Sequence, residues 1–163
     1  MPASVGPTTF VLVSSLGTDA ISSAVPPESA RLLGASLGGV LRQKRAAEAA
    51  LRASALDWTV VRPGLLLKEA TQGGILLGAA GRWTGEAATD RVAGLEAPVK
   101  CASPFLASSG AVCAATRLQV ARVCVAALSD ERTFSRRVVE VVTRPEVPRD
   151  GTMQVTWDGQ AVD

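Results

Sequence analysis

Short apolar, β-branched segments alternate with helix-forming sequence, and this order constrains the fold more than any other feature of the chain. Residues 10–14 (FVLVS) and 58–62 (WTVVR) have the continuous hydrophobicity of strands that are buried on both faces. Residues 39–54 lie between them, are rich in Ala, Leu, Arg, Gln and Glu with apolar positions on one face, and predict a helix. This order of strand, helix and strand predicts two parallel strands joined by a helical crossover.

The remaining sequence predicts fewer regular elements. Residues 116–128 have apolar positions near helical spacing, with Thr116 as a candidate N-cap. Residues 138–142 (VVEVV) predict a third buried strand. Residues 68–115 are rich in Gly, Ala and Ser and weakly periodic, which predicts a long surface insertion with short local elements.

Together these elements predict an α/β domain with a largely parallel, doubly wound sheet over residues 1–143, followed by a tail at 144–163. In open sheets of this kind, ligands bind outside the carboxyl ends of the strands. The segments to consider for function are therefore residues 14–17 and 62–65, which end the first two predicted strands.

The absence of two residue types removes several enzyme classes. The sequence contains no histidine and no tyrosine, so it cannot form a Ser/His/Asp triad, a Cys/His pair or the Tyr-Lys acid of ordinary short-chain dehydrogenases. Cys101, Cys113 and Cys124 show no C-x-x-C spacing, and we expect small buried side chains in a reducing compartment, with no metal site. The net charge of +2 and the lack of a long apolar run argue against nucleic-acid binding and against a membrane span.

Four segments together resemble the second half of the atypical short-chain dehydrogenases, which have an NAD(P)-binding Rossmann fold. In chain order they are FVLVSSLGTD, VLRQKRAAEAALRASALDWTVVRPGLL, RLQVARVCVAAL and RRVVEVV. Within the family the segments are most similar to the NADP(H)-binding, translocon-associated branch of the chloroplast inner envelope, and more distantly to flavin and biliverdin reductases. The resemblance implies a partial Rossmann-like fold and a location in the chloroplast stroma or at its inner envelope or thylakoids, with the cytoplasm as the alternative.

The resemblance also implies a set of cofactor-binding residues at two strand ends and on the helix between them. They are Ser14, Ser15, Leu16, Lys44, Pro63, Gly64 and Leu65. Lys44 matches the lysine of the Tyr-x-x-x-Lys motif, whose ammonium bonds the hydroxyls of the nicotinamide ribose. Val40 occupies the tyrosine position, so the usual proton donor is absent and no catalytic residue is predicted. Without the resemblance, Lys44 equally indicates a solvated helix charge, and the serines a polar turn.

The phosphate-binding part of such a domain is missing from the sequence. A dinucleotide domain holds the pyrophosphate on a glycine-rich turn and a helix N-terminus, and neither G-x-G-x-x-G nor G-x-x-G-x-x-G occurs here. We therefore expect a chain that lacks the N-terminal glycine-rich βαβ half and, in isolation, binds NADP or NAD weakly or not at all. The alternative is that the sequence begins within a longer protein.

Two classes of function follow. In the first, the chain is an NAD(P)-binding, oxidoreductase-like protein that serves as a reductase or as a redox sensor of the cofactor pool. In the second, it is a non-catalytic module that acts as a subunit or assembly partner, with another protein chain covering its open sheet edge. The sequence leaves open whether the chain is an enzyme, which substrate it takes and whether NAD or NADP is the cofactor.

Overall fold

The computed structural model describes residues 9–19, 34–68, 73–81, 113–145, 147–150 and 152–156. Its strands, in chain order, are β1 (Thr9–Val13), β2 (Asp57–Pro63), β3 (Leu65–Leu67), β4 (Gly74–Ala79), β5 (Ala114–Thr116), β6 (Arg137–Arg144) and β7 (Met153–Val155). Its helices are α1 (Gly34–Arg52), α2 (Arg117–Ser129) and the short α3 (Glu131–Phe134).

Five of these strands form one mostly parallel sheet in the order β1-β2-β6-β4-β7. β1, β2 and β6 are parallel, with Leu12 opposite Val60 and Val60 opposite Val138. β4 is antiparallel to β6, and β7 is parallel to β4. β3 and β5 pair as a separate two-stranded parallel sheet.

The predicted strand, helix, strand unit is confirmed, since β1 and β2 are parallel and α1 lies between them in the chain. The three predicted strands differ from β1, β2 and β6 only at their ends. The helix predicted from residue 39 begins earlier, at Gly34, because the small residues that suggested a loop can also continue a helix when no proline interrupts it.

Two segments hold more structure than the sequence predicted. β4 lies within the predicted surface insertion, yet Leu76 and Leu77 are fully buried in the sheet. Its short run GILLGA shows no alternation of apolar and polar residues. Its pairing with neighbouring strands, above all the antiparallel pairing with β6, identifies it as a strand. β7 lies in the predicted tail and extends the sheet beyond β4. Residues 82–112 of the insertion lie outside the described residues.

The core lies on both faces of the sheet, because neighbouring residues of each strand point to opposite sides. Val61 of β2 belongs to a cluster that includes Val120 and Val123 of α2. Val60, the adjacent residue, packs in a second cluster with Leu51 of α1. The sheet is therefore covered by α1 on one face and α2 on the other, as predicted for a doubly wound domain.

The predicted N-cap of α2 is confirmed. The Thr116 side chain accepts a hydrogen bond from the Gln119 backbone N–H, and the Gln119 side chain accepts one in return from the Thr116 backbone N–H. This capping box satisfies two backbone donors that the helix itself leaves unpaired.

Replacing the cap tests this part of the fold. Thr116→Ala is expected to lower the free energy of unfolding by about 1 kcal/mol, which corresponds to a fall in melting temperature of about 2–4 °C. Thr116→Ser keeps the hydroxyl and should melt close to the unmodified protein in the same thermal scan. Equal melting temperatures for the Ala variant and the unmodified protein would contradict the capping role.

Candidate active site

The sheet face that α1 covers changes from apolar to polar toward the carboxyl ends of the strands. On β2, Trp58 and Val60 are followed on the same face by Arg62, and on β6, Val138 is followed by Glu140. Arg62 is 1% exposed and Glu140 is fully buried. Because a buried charge is tolerated only when it is paired, these residues need partners at this edge.

Arg62 finds its partners on α1 and in the loop after β1. Its Nε donates to Glu48 Oε1 at 3.0 Å, and its Nη2 donates to Glu48 Oε2 at 2.5 Å. The same guanidinium donates to both carboxylate oxygens of Asp19. Glu140 Oε1 lies 3.9 Å from Arg62 Nη1, and it accepts a hydrogen bond from the backbone N–H of Gly81 at 2.9 Å.

This arrangement fixes the charge of the guanidinium. Burial by itself lowers the pKa of Arg62, but the hydrogen bonds to Glu48 and then Asp19 outweigh burial and raise the pKa above its usual range. Arg62 is therefore a permanent cation in the interior and provides no proton for chemistry.

Ser14, which follows β1, joins the same group. Its hydroxyl donates to Glu48 Oε1 at 2.5 Å, and the Thr18 hydroxyl donates to the same oxygen at 3.2 Å. The backbone of this loop is also tied to β2, since the N–H groups of Ser14 and Leu16 donate to carbonyls at the end of that strand. The predicted Ser14 therefore has a fixed place at the carboxyl edge.

Lys44 reaches the same place from α1. Its Nζ donates to the Ser14 carbonyl at 3.1 Å and to the Val13 carbonyl at 3.3 Å. Lys44 and Glu48 lie four residues apart and so share one face of the helix. Val40, a further turn away, is 50% exposed. The structure thus brings together the two predicted residues Ser14 and Lys44, which are far apart in the sequence.

The remaining predicted residues lie around this point in different ways. Pro63 and Gly64 are buried, and the Gly64 N–H donates to the Val141 carbonyl at 3.2 Å. A Cβ on Gly64 would lie 1.9 Å from the Cys113 carbonyl oxygen, so only glycine fits there. Leu65 is exposed and Ser15 half-buried, whereas Leu16 lies fully buried in the core. The Leu16 side chain faces away from solvent, so this residue can offer a ligand only its backbone.

The acidic members of this group, Asp19, Glu48 and Glu140, were not predicted from the sequence. Two signals could have indicated Glu48 and Glu140. Glu48 stands four residues after Lys44 on the helix, and Glu140 interrupts a run of valines that the strand buries. A carboxylate in such a position requires a cation, and Arg62 in the neighbouring buried strand is one.

The cysteines do not form a reactive centre among the described residues. Burial raises the pKa of Cys124, which is the opposite of the change that activates a thiol, and its side chain packs against the core. Cys113 is buried, as predicted, but it is disulfide-bonded, which differs from the thiol expected in a reducing compartment. Cys101 lies outside the described residues. Within the described ranges no group of His, Cys, Asp and Glu side chains could hold a metal ion.

A second concave region lies beside the start of α2. Its volume is about 170 Å³, and Gln119, Arg122 and Arg149 are among the residues that line it. Gln119 bonds Gly73, Thr116 and Thr143. All of these hydrogen bonds are internal to the chain, so Gln119 stabilises the helix cap and the segments next to it.

Comparison with known proteins bears on the edge formed by β1 and β2. Residues 3–96 match the profile of a protein family described as NAD(P)H-binding, which is more than half of the chain. The chain belongs to this NAD(P)H-binding family. None of the curated proteins matches it.

Two solved structures resemble this chain. A putative NAD-dependent epimerase/dehydratase from Bacillus halodurans is 27% identical, with a TM-score of 0.50 over 85% of this chain and 47% of that one. A short-chain dehydrogenase/reductase from Veillonella parvula, solved in complex with NADP, is 20% identical, with a TM-score of 0.48 over 85% of this chain and 54% of that one. The chain thus spans about half the length of these structures. The first of these structures confirms the predicted Rossmann-like α/β fold, and the family match confirms NAD(P) binding as the class of the chain.

Among the described residues of this NAD(P)H-binding chain, no helix is both long and apolar enough to cross a membrane. The predicted chloroplast branch of the family stays a prediction.

The buried ion cluster can be tested through stability. Arg62→Met leaves Glu48 and Glu140 buried without their cation, and it is expected to lower the free energy of unfolding by about 3–5 kcal/mol. Arg42→Met removes an exposed arginine from the same helix as Glu48 and should change it by less than about 0.5 kcal/mol. Urea unfolding curves of the two variants provide the measurement, and coincident curves would show that the cluster contributes nothing.

Proposed function

We propose that the carboxyl edge of β1 and β2 binds the nicotinamide half of NAD or NADP, and that the chain works as an oxidoreductase-like protein, either as a reductase or as a redox sensor. The observation that carries this proposal is the convergence of Lys44 and Ser14. These residues come from distant parts of the chain, and the Lys44 ammonium donates to the Ser14 backbone carbonyl beside the strand ends, where ligands of doubly wound sheets bind.

The residues at this edge suit a nicotinamide nucleoside. An ammonium carries three N–H donors, and Lys44 directs Nζ toward two backbone carbonyls, which leaves capacity for a ribose hydroxyl. Gly64 lets two backbone segments approach closely at the end of β2. Lys44, Ser14, Ser15 and the backbone from Pro63 to Leu65 would hold the group.

When bound, nicotinamide supplies or accepts a hydride, and the chain's own residues orient it and hold its ribose. The sequence contains neither tyrosine nor histidine, and Val40 stands at the usual position of the acid. A proton needed by the reaction must then come from solvent or from the substrate. This favours acceptors that need little acid help, such as flavins or quinones, over simple ketones.

Two further parts of the proposal, the location and the affinity of the isolated chain, rest on the sequence. We propose a location in the chloroplast because the four segments resemble that branch of the family. We also propose that this chain alone binds the nucleotide weakly, because no glycine-rich turn for the pyrophosphate occurs in it. Several charge-assisted hydrogen bonds of about 1.5–3 kcal/mol each would then be missing.

One observation favours a second candidate, a non-catalytic subunit or assembly partner. β1 ends the sheet on one side in the described part of the chain, and its Phe10 and Val13 are 45% and 43% exposed. An open strand edge is suited to pairing with another chain.

The second candidate is tested by light scattering across a concentration series. A subunit that pairs through β1 should form a larger species, and Val11→Pro should reverse the association. The Ser14 N–H donates to β2, and the N–H of Leu12, two residues earlier, points the same way. The N–H of Val11 therefore faces the open edge, and proline removes it. A monomer at every concentration, with no gain in mass on adding a cell extract fraction, would leave only the first candidate.

The first candidate is tested by removing the ammonium. Lys44→Ala is expected to weaken binding of reduced nicotinamide mononucleotide and of NADPH by about 10- to 150-fold, the loss of one charge-assisted bond. Val40→Ala, on the same face of α1, should change binding much less. Fluorescence titration of the reduced nicotinamide ring provides both affinities.

The two ligands also test which half of the nucleotide is held. Reduced nicotinamide mononucleotide should bind about as well as NADPH, whereas ADP, which lacks the nicotinamide ribose, should not compete. Unchanged affinity in Lys44→Ala would make this residue an ordinary solvated charge, and competition by ADP would place the site elsewhere.

A further inference from the structure

Glu48 is surrounded by donors. Its Oε1 accepts hydrogen bonds from Ser14, Thr18 and Arg62 Nε, and its Oε2 accepts one from Arg62 Nη2. Glu48 is 3% exposed and Arg62 is 1% exposed, so solvent does not compete for these bonds. The carboxylate therefore has a fixed position, and it attracts the proton of each hydroxyl beside it.

The direction of the Ser14 hydroxyl follows from this environment. A serine hydroxyl has one proton to donate and two lone pairs that accept. Because a carboxylate only accepts, the bond to Glu48 commits the Ser14 proton to the interior. What Ser14 Oγ offers to any other neighbour is a lone pair, which makes this oxygen an acceptor.

We propose that Glu48, held by Arg62, is a positioning residue that sets Ser14 Oγ as a hydrogen-bond acceptor toward the ligand at the carboxyl edge. The ligand group it selects is a donor, such as the carboxamide N–H₂ or a ribose hydroxyl of a nicotinamide nucleoside. The identity of that ligand rests on the proposed function, but the role of Glu48 toward Ser14 does not.

Helix α1 therefore bonds two polar groups of Ser14. Lys44 bonds the Ser14 carbonyl, and Glu48, one turn further along the helix, bonds the Ser14 hydroxyl. Lys44 supplies a donor to the ligand while Ser14 supplies an acceptor. A hydroxyl-bearing or amide-bearing ligand can pair with both at once, whereas an anionic group would meet the Ser14 lone pairs unfavourably.

The test is a double-mutant cycle on ligand affinity, with Ser14→Ala, Glu48→Gln and both together. In Glu48→Gln the side chain keeps its shape but loses its charge and one acceptor oxygen, so it no longer fixes the direction of the Ser14 proton as a carboxylate does. Each single variant is expected to weaken binding of reduced nicotinamide mononucleotide by about 3- to 10-fold, the value of one neutral hydrogen bond. The double variant should bind no more weakly than either single one, because both remove the same acceptor.

Loss of stability alone must be separated from this effect. Thr59→Val removes a buried hydroxyl that donates to the Phe134 carbonyl at the opposite end of β2, so it destabilises the protein without touching the site. It should lower the melting temperature and leave affinity unchanged. If Glu48→Gln weakens binding just as much in the Ser14→Ala background, Glu48 does not act through Ser14, and the inference is overturned.

A measurement without ligand distinguishes failure of this inference from failure of the proposed function. In proton NMR, the Ser14 hydroxyl should exchange slowly with water in the unmodified protein and in Thr59→Val, and rapidly in Glu48→Gln. Should that variant not fold, Glu48→Asp serves instead, since it keeps a carboxylate for Arg62 but withdraws it from Ser14. Slow exchange in these variants overturns the inference, whereas a lack of nucleotide binding with the expected exchange pattern overturns only the proposed function.

Discussion

The buried guanidinium of Arg62 is the interaction on which the functional edge of this protein depends. It joins Glu48 of α1, Asp19 after β1 and Glu140 of β6 at the carboxyl ends of the strands. Burial of these charges is costly unless all of them are paired. The pairing therefore allows few positions of α1 along the sheet, and the position it selects is the one that brings Lys44 to the end of β1.

The two halves of the α1 interface differ in their chemistry. Near the amino ends of the strands, Leu51 packs against Trp58, Val60 and Val138 in an apolar cluster. Toward the carboxyl ends the same interface consists of charges and hydroxyls that satisfy one another. A continuous apolar interface would tolerate sliding of the helix, whereas hydrogen bonds of fixed geometry do not. The buried hydrogen bonds therefore fix the positions of Ser14 and Lys44.

The sequence allowed prediction of elements whose signal is local. Continuous valine and leucine runs identified β1, β2 and β6, and the Thr116 cap marked the start of α2. β4 was not predicted because a short apolar run between glycines has the same pattern in a loop and in a buried strand until its partner strand is known. The ion cluster was not predicted for a related reason. Arg62 and Asp19 are 43 residues apart, and only the fold places them in contact. Ser14 and Lys44 were indicated by resemblance to a family, and no spacing rule would have paired them.

The central claim is that a nicotinamide nucleoside binds where β1 and β2 end. The most direct test is chemical-shift mapping on isotope-labelled protein titrated with reduced nicotinamide mononucleotide. On binding, the backbone amides of residues 14–17, Gly64 and Leu65 should shift together and saturate with one affinity. Shifts confined to the region around Gln119 and Arg122, or no saturable shifts at the ends of β1 and β2, would contradict it.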